Sequence, residues 1–333
     1  MHPMVALFKR NAWANEQLLD FCARQPADLI SAPAEEDLLG GIDAQFTHLV
    51  AAEVGFLRWI TGRRREEPLD TDKPLALDQL RAPMRWVVEE WPGALDFDRD
   101  PELVREVQRR SGPTAMTDWL AVLQYLHHGD DHRAQIGTQL GRHDVEGPEL
   151  DLWAYFEAEG SHPEGAGDGV RTRRDSLLRR GFGHHEWATT ELLTRCLALS
   201  ADELALTAPG TFGSILDTLD HTISSNRSYL SRLKGKGRLP RLNAGGITPL
   251  QEHFRRTSEE WLAYLDAGPD FEEEIDMSDG TKVPAWVIVA QALHHGNDHR
   301  THVTTVLMHH GLEAPSLSPW AYSRSLEAPQ VTA

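Results

Sequence analysis

The sequence predicts an all-α protein built as two four-helix bundles in tandem, related by an internal pseudo-two-fold axis. The main observation is an internal repeat. Residues 126–133 read LHHGDDHR and residues 293–300 read LHHGNDHR, identical except for Asp130 against Asn297. The same offset of 167 carries Trp119 onto Trp286, Trp153 onto Trp320 and Tyr155 onto Tyr322. Upstream the offset is 173 for His48 and His221, and 174 for Trp13, Leu18, Leu19 and Cys22 against Trp187, Leu192, Leu193 and Cys196. A second observation is the Gly-rich stretch GSHPEGAGDGVR at 160–171, which has no apolar periodicity and reads as a linker. The expected organisation is a first bundle at 1–159, a linker at 160–172, a second bundle at 173–325 and a tail at 326–333. Each bundle is long enough to fold alone, which argues against a solenoid.

Apolar spacing sets the helices in order. The first covers 4–24 through Leu7, Trp13, Leu18, Leu19 and Cys22, with Pro26 beyond its end. The second covers 41–61 through Phe46, His48, Leu49, Ala52, Phe56 and Trp59, and stops at Gly62. The third, 76–91, runs from Leu77 to Trp91 and ends at Pro92-Gly93. The fourth opens at Pro113-Thr114 and closes at Gly141. Their counterparts are 174–199, 213–234, 248–266 and 284–310. Between the last two, IDMSDGTKV at 275–283 alternates about an Asp-Gly pair and predicts a short β-excursion. No βαβ pattern occurs.

Composition narrows the function classes. The 333 residues carry 33 Lys and Arg against 51 Asp and Glu, a formal charge of −18 that repels a phosphate backbone and argues against nucleic-acid partners. An apolar fraction of 40% with 10 Trp is enough to fill cores. Val283–Leu293, among the longest apolar runs, contains Pro284 and Gln291 and is too short for a membrane span. Met1–Arg10 has no signal-peptide core. Two cysteines, Cys22 and Cys196, cannot form a disulfide framework or a Cys-based zinc site, so the expected compartment is the cytoplasm. Each follows a Leu by three residues and reads as core filler.

The 17 histidines carry the chemistry. His128 and His132 are four apart on one helix, so both imidazoles face one metal ion, and His295 and His299 repeat the arrangement. A third ligand must come from another helix. His48 and His221, each on the apolar stripe of a second helix, supply it. Three neutral imidazoles leave coordination positions open, as a catalytic metal requires. His127/Asp131 and His294/Asp298 are alternative pairs, but two imidazoles suit a late first-row metal better. Arg133 and Arg300 follow ligands and read either as contacts for an anionic substrate group or as surface salt bridges. The Trp-Ala-Tyr tripeptides at 153–155 and 320–322 are expected to fold back over their own bundles. His184-His185 receives no role.

The run His48…Glu53, then His128-x-x-x-His132-Arg133-x-Gln135-Ile136, resembles the DinB/YfiT-like superfamily of four-helix metalloproteins across nearly the whole chain. The resemblance implies an up-down-down-up bundle and a three-His site for zinc, nickel or iron. It implies as ligands His48, His128 and His132 in the first copy, and His221, His295 and His299 in the second. It also implies enzymes that use low-molecular-weight thiols, so the leading expectation is a metal-dependent thiol S-transferase or related detoxification enzyme acting on a thiol and an electrophile. A metal-dependent hydrolase with Glu53 as general base, and a non-catalytic metal-binding stress or interaction protein, are the rivals. The second copy departs from the pattern: Asn226 stands in place of Glu53, and His302 in place of Gln135. Single bundles of this kind commonly pair about a two-fold axis, so the fused chain is expected to be a monomer containing that pairing.

Overall fold

The computed structural model describes residues 1–33, 40–96, 99–109, 112–160 and 167–327. Helices α1 (Pro3–Cys22), α3 (Ile42–Thr61), α4 (Arg81–Leu95) and α5 (Asp118–Arg142) form the first bundle, with a short α2 (Ala27–Ile30) before α3. Helices α7 (Asp168–Cys196), α9 (Ile215–Leu233), α10 (Ile247–Asp266) and α11 (Ala285–His309) form the second, with a short α8 (Ala201–Leu204) before α9. Residues 161–166 of the expected linker lie outside the described residues, and α7 begins at Asp168, within the rest of it and before residue 174.

Local chemistry sets the helix ends. Pro3 opens α1 beside the N-cap His2, whose Nδ1 accepts from the Met4 amide at 3.1 Å. Gly62 closes α3 in the left-handed region at φ 76°, where a side chain would be strained. Ser214 caps α9 by accepting from the Asp217 amide at 3.1 Å. The third helix of the first copy opens with a 3₁₀ turn, Leu77–Leu80, and runs on to Leu95, past the expected stop. Pro92 removes one amide near the end of α4 and leaves the carbonyl of Val88 without its helical donor, at an exposed residue where the lost bond costs little.

Both copies carry a β-hairpin between their third and fourth helices. In the second copy, β3 (Glu274–Asp276) pairs antiparallel with β4 (Lys282–Pro284), as the Asp-Gly pair predicts. In the first, β1 (Val104–Arg109) pairs with β2 (Gly112–Thr117), and α5 therefore starts at Asp118 rather than at 114. This hairpin is a correction to the sequence reading. Arg99 and Arg105 both ion-pair with the buried Asp118 carboxylate, tying the hairpin to the start of α5.

A larger correction concerns the Trp-Ala-Tyr segments. They form α6 (Leu152–Glu159) and α12 (Pro319–Glu327), and each lies between the first helix of its own copy and the fourth helix of the other. The Leu152 amide donates to Gln291 Oε1 at 3.0 Å, and Phe156 meets Trp286 edge-on at 5.7 Å. Reciprocally, Tyr322 meets Trp119 at 5.9 Å and Trp320 meets Trp59 at 6.5 Å. Rings of this size bury most area in an inter-bundle groove, which a bundle's own outer face does not offer. One apolar core accordingly runs through both copies, from Phe8, Trp91 and Tyr125 to Phe182, Trp261 and Trp286. Two smaller cores sit apart from it: Leu18, Leu49 and Ile136 in the first copy, and Leu192, Leu219 and Leu307 in the second.

Candidate metal centres

His48 projects from α3 toward His128 and His132 on α5, one turn apart. His48 Nε2 stands 3.0 Å from His128 Nε2, and His132 Nε2 stands 3.2 Å from His128 Nε2. On α9 and α11 the distances are 3.0 Å for His221 to His295 and 3.1 Å for His299 to His295. Ring-centroid separations are 4.9, 4.8 and 4.3 Å in each copy. Two nitrogens each bound at 2.0–2.1 Å to a tetrahedral zinc ion stand about 3.3 Å apart, so both triads fit a first-row divalent ion. The converging atoms are all Nε2. The Nδ1 atoms of His128, His132 and His299 are buried and have no hydrogen-bond partner among the described residues.

Burial keeps these imidazoles neutral, the form that has a lone pair for a metal. Burial first, then the neighbouring His132 and His48, pushes His128 down to about 2. His132 falls to about 4, again chiefly by burial, with Asp131 and the Gln135 side chain acting the other way. Burial also lowers His48 and His221, and lowers His295 and His299 strongly. Aromatic rings wall each site. Phe56 meets His128 edge-on at 5.6 Å, and Tyr229 meets His295 at 5.8 Å. Phe212 stacks on His221 at 4.4 Å and 27°.

Residues 1–164 match the model of the DinB family, and residues 184–303 match that of the DinB superfamily. The chain belongs to the DinB superfamily. No curated protein gives a significant match to it. The two matches follow one another along the chain as two DinB units, and the triads lie one in each.

The remaining residues singled out by sequence fall elsewhere. His127 and His294 lie between the DinB units: His127 Nδ1 is 2.8 Å from Asn297 Oδ1, and His294 Nδ1 is 3.1 Å from Asp130 Oδ1. Asp131 accepts from Thr301 Oγ1 across the same interface. Arg133 and Arg300 are neither surface salt bridges nor open anion contacts, because both are buried. Arg133 donates to Asn15 Oδ1 and to Asp130 Oδ1, each at 2.6 Å, while Arg300 donates to Thr189 Oγ1 at 3.0 Å and to Asn297 Oδ1 at 2.9 Å. Cys22 and Cys196 are fully buried among Leu and Ile, and burial pushes both thiols up to about 12. His302 meets His299 edge-on at 5.6 Å, and with Asp298 it forms a third group of close potential ligand atoms that shares His299.

Glu53 is buried and receives hydrogen bonds from Asn11 Nδ2 at 2.7 Å and Asn15 Nδ2 at 2.9 Å. Its other oxygen has no partner among the described residues. Burial raises its pKa, opposed by Asn11, by the Arg133 charge and by Asn15. It borders a cavity of about 250 Å³ with Asn15, Arg81 and Met84. None of its hydrogen bonds runs to His48, His128 or His132.

Sequence reasoning missed the buried polar groups on the first helix of each unit. Arg10 donates to Leu150 O and to Asp130, and His184, at the corresponding helix position, is 2.7 Å from Leu317 O. Asn11 and His185 likewise correspond, reaching Glu53 and Asn226. The signal was present: offset 174 places Arg10-Asn11 against His184-His185, polar pairs on an otherwise apolar helix face.

Proposed function

We propose that each DinB unit holds one divalent ion, zinc, nickel or iron, on its three histidines, and that the chain is a metal-dependent enzyme transferring a low-molecular-weight thiol to an electrophile. The observation that carries the metal reading is the convergence of three neutral Nε2 atoms, repeated in both units with matching separations. A bound divalent ion supplies Lewis acidity and lowers the pKa of a thiol or water donor. The protein's part is to hold the imidazoles deprotonated and oriented, and to shield one side of each centre with Phe56, Tyr229 or Phe212. The thiol itself rests on family analogy.

We assign Glu53 a positioning role through Asn11 and Asn15 rather than proton transfer at the first centre. What supports this is its two hydrogen bonds to α1 and its place on a different flank of α3 from His48, five residues earlier. Both cysteines, buried and high in pKa, serve packing. Among the described residues no helix is long and apolar enough to cross a membrane.

Zinc-loaded protein mixed with a small thiol and an electrophile tests the transferase reading. Thiol consumption that disappears in the His128→Ala, His295→Ala double variant supports it. Turnover of a hydrolysable ester or amide without thiol, lost in the same variant, would replace it with the hydrolase reading.

A further inference from the structure

We propose that the second centre is a composite site for a small molecule carrying a metal-binding donor at one end and a cationic nitrogen at the other, the cation being held by carboxylates of the first DinB unit. The inference rests on the metal reading above and adds the class of ligand.

The second triad opens into a cleft of about 680 Å³ between the two units, within the range of small-molecule sites. From the second unit, His221, His295 and His299 line it with Phe212 and Tyr229. The first unit contributes the stretch from Glu146 to Asp151, which links α5 to α6, and Trp153 on α6. Arg10, Asp130 and Arg133 also border the cleft. No single unit makes this site.

The charge balance of the lining decides the ligand. The lining holds five carboxylates and two guanidiniums. Both guanidiniums are engaged: Arg10 binds Leu150 O and Asp130, and Arg133 binds Asn15 and Asp130. Asp130 is therefore taken up by the arginines. Asp151 caps α6 by accepting from the Ala154 amide at 2.9 Å and also accepts from Gln291 Nε2 at 3.0 Å. The remaining three, Glu146, Glu149 and Asp298, accept no hydrogen bond from any described residue. Glu146 and Glu149 come from the first unit and belong to none of the close groups of potential ligand atoms, so a cation held by them does not compete with the metal. Trp153 and Tyr229, with ring centroids 6.1 Å apart, add π faces that favour a cation further. An anionic tail meets like charge there.

The corresponding stretch of the second unit carries fewer carboxylates. At offset 167 the stretch corresponding to Glu146, Glu149 and Asp151 reads Glu313, Ser316 and Ser318. The second centre alone is expected to prefer cationic ligands strongly, which supplies an internal control.

The test uses full-length His128→Ala protein loaded with cobalt(II), leaving the second triad as the intact centre. The cobalt d–d absorption reports the metal, and the thiolate-to-cobalt charge-transfer band reports binding of three probes: cysteamine, 2-mercaptoethanol and 3-mercaptopropionate. Cysteamine is expected to bind about tenfold more tightly than 3-mercaptopropionate, an energy difference of about 1.4 kcal/mol. Adding Glu146→Gln and Glu149→Gln, two exposed positions that do not threaten folding, is expected to bring the two within about twofold. Cobalt bound with no preference, or with a preference unchanged by the Gln pair, overturns the composite site and leaves the metal reading intact. An equal preference at the first centre, measured in His295→Ala protein, also overturns it by tracing the effect to the overall charge. Absence of the cobalt spectrum from the His128→Ala protein removes the metal reading for this unit and the composite site with it.

Discussion

Asp130 and Asn297 are the one difference within the repeated octapeptide, and they face one another's units through His294 and His127. Burial opposes ionisation of Asp130, yet His294, Arg10 and Arg133 hold its carboxyl well below the usual range. Replacing Asp130 by Asn leaves two buried guanidiniums without their counter-charge, and the expected loss is about 3 kcal/mol, read as a lower urea midpoint. An unchanged midpoint would remove Asp130 from the account of stability. The histidines make a pH prediction. Their folded pKa values lie below the unfolded value near 6.5, so the unfolded chain takes up more protons as the pH falls. Stability of the metal-free protein is therefore intact above pH 6.5 and is lost below it, toward about 4 for His132 and about 2 for His128. The expected slope is about 1.4 kcal/mol per pH unit for each such imidazole, and a flat profile of unfolding midpoint between pH 7 and 5 would contradict it. The triads were legible because two samples of one motif share their spacing. The role of Arg133 was not, since its partner Asn15 is 118 positions away.

Helix α5 ends against the loop that leads into α9 of the other unit. A Cβ at Gly141 would stand 2.6 Å from Gly210 Cα, and one at Gly210, at φ 74°, would stand 2.4 Å from Thr138 O. Phe212, two residues on, stacks on His221. Gly141→Ala is accordingly expected to cost about 2 kcal/mol by overpacking and to weaken metal binding at the second centre more than at the first. Equal weakening at both centres, by competition with a chromophoric chelator, would show that the loop does not support His221. The hairpins show what element-level reading can reach. Asp279-Gly280 gives β3 and β4 a recognisable turn, whereas no Asp-Gly pair marks β1 and β2. The Trp-Ala-Tyr segments likewise read as packing elements, but nothing in the sequence shows that α6 and α12 reach the neighbouring unit.

The whole molecule has one apolar core extending through both units, with α6 and α12 each bridging from its own unit to the other. Such a core couples the units, so wild-type protein is expected to unfold in one transition, with far-ultraviolet circular dichroism and Trp fluorescence coinciding. Two separated transitions would mean that the smaller cores of each unit suffice alone. Reciprocal contacts, His127 with Asn297 and His294 with Asp130, are those a two-fold pairing would give, and we infer a monomer that contains its own dimer interface. A solution mass near the 37.3 kDa of one chain is expected, and twice that value would contradict it. The central claim is one metal ion per triad. Elemental analysis of protein purified without a His-tag and reconstituted with zinc tests it most directly, in wild type, His128→Ala and His295→Ala. The account predicts about two equivalents per chain in the wild type and about one in each variant. No bound metal after reconstitution, or a content unchanged by both substitutions, would contradict it.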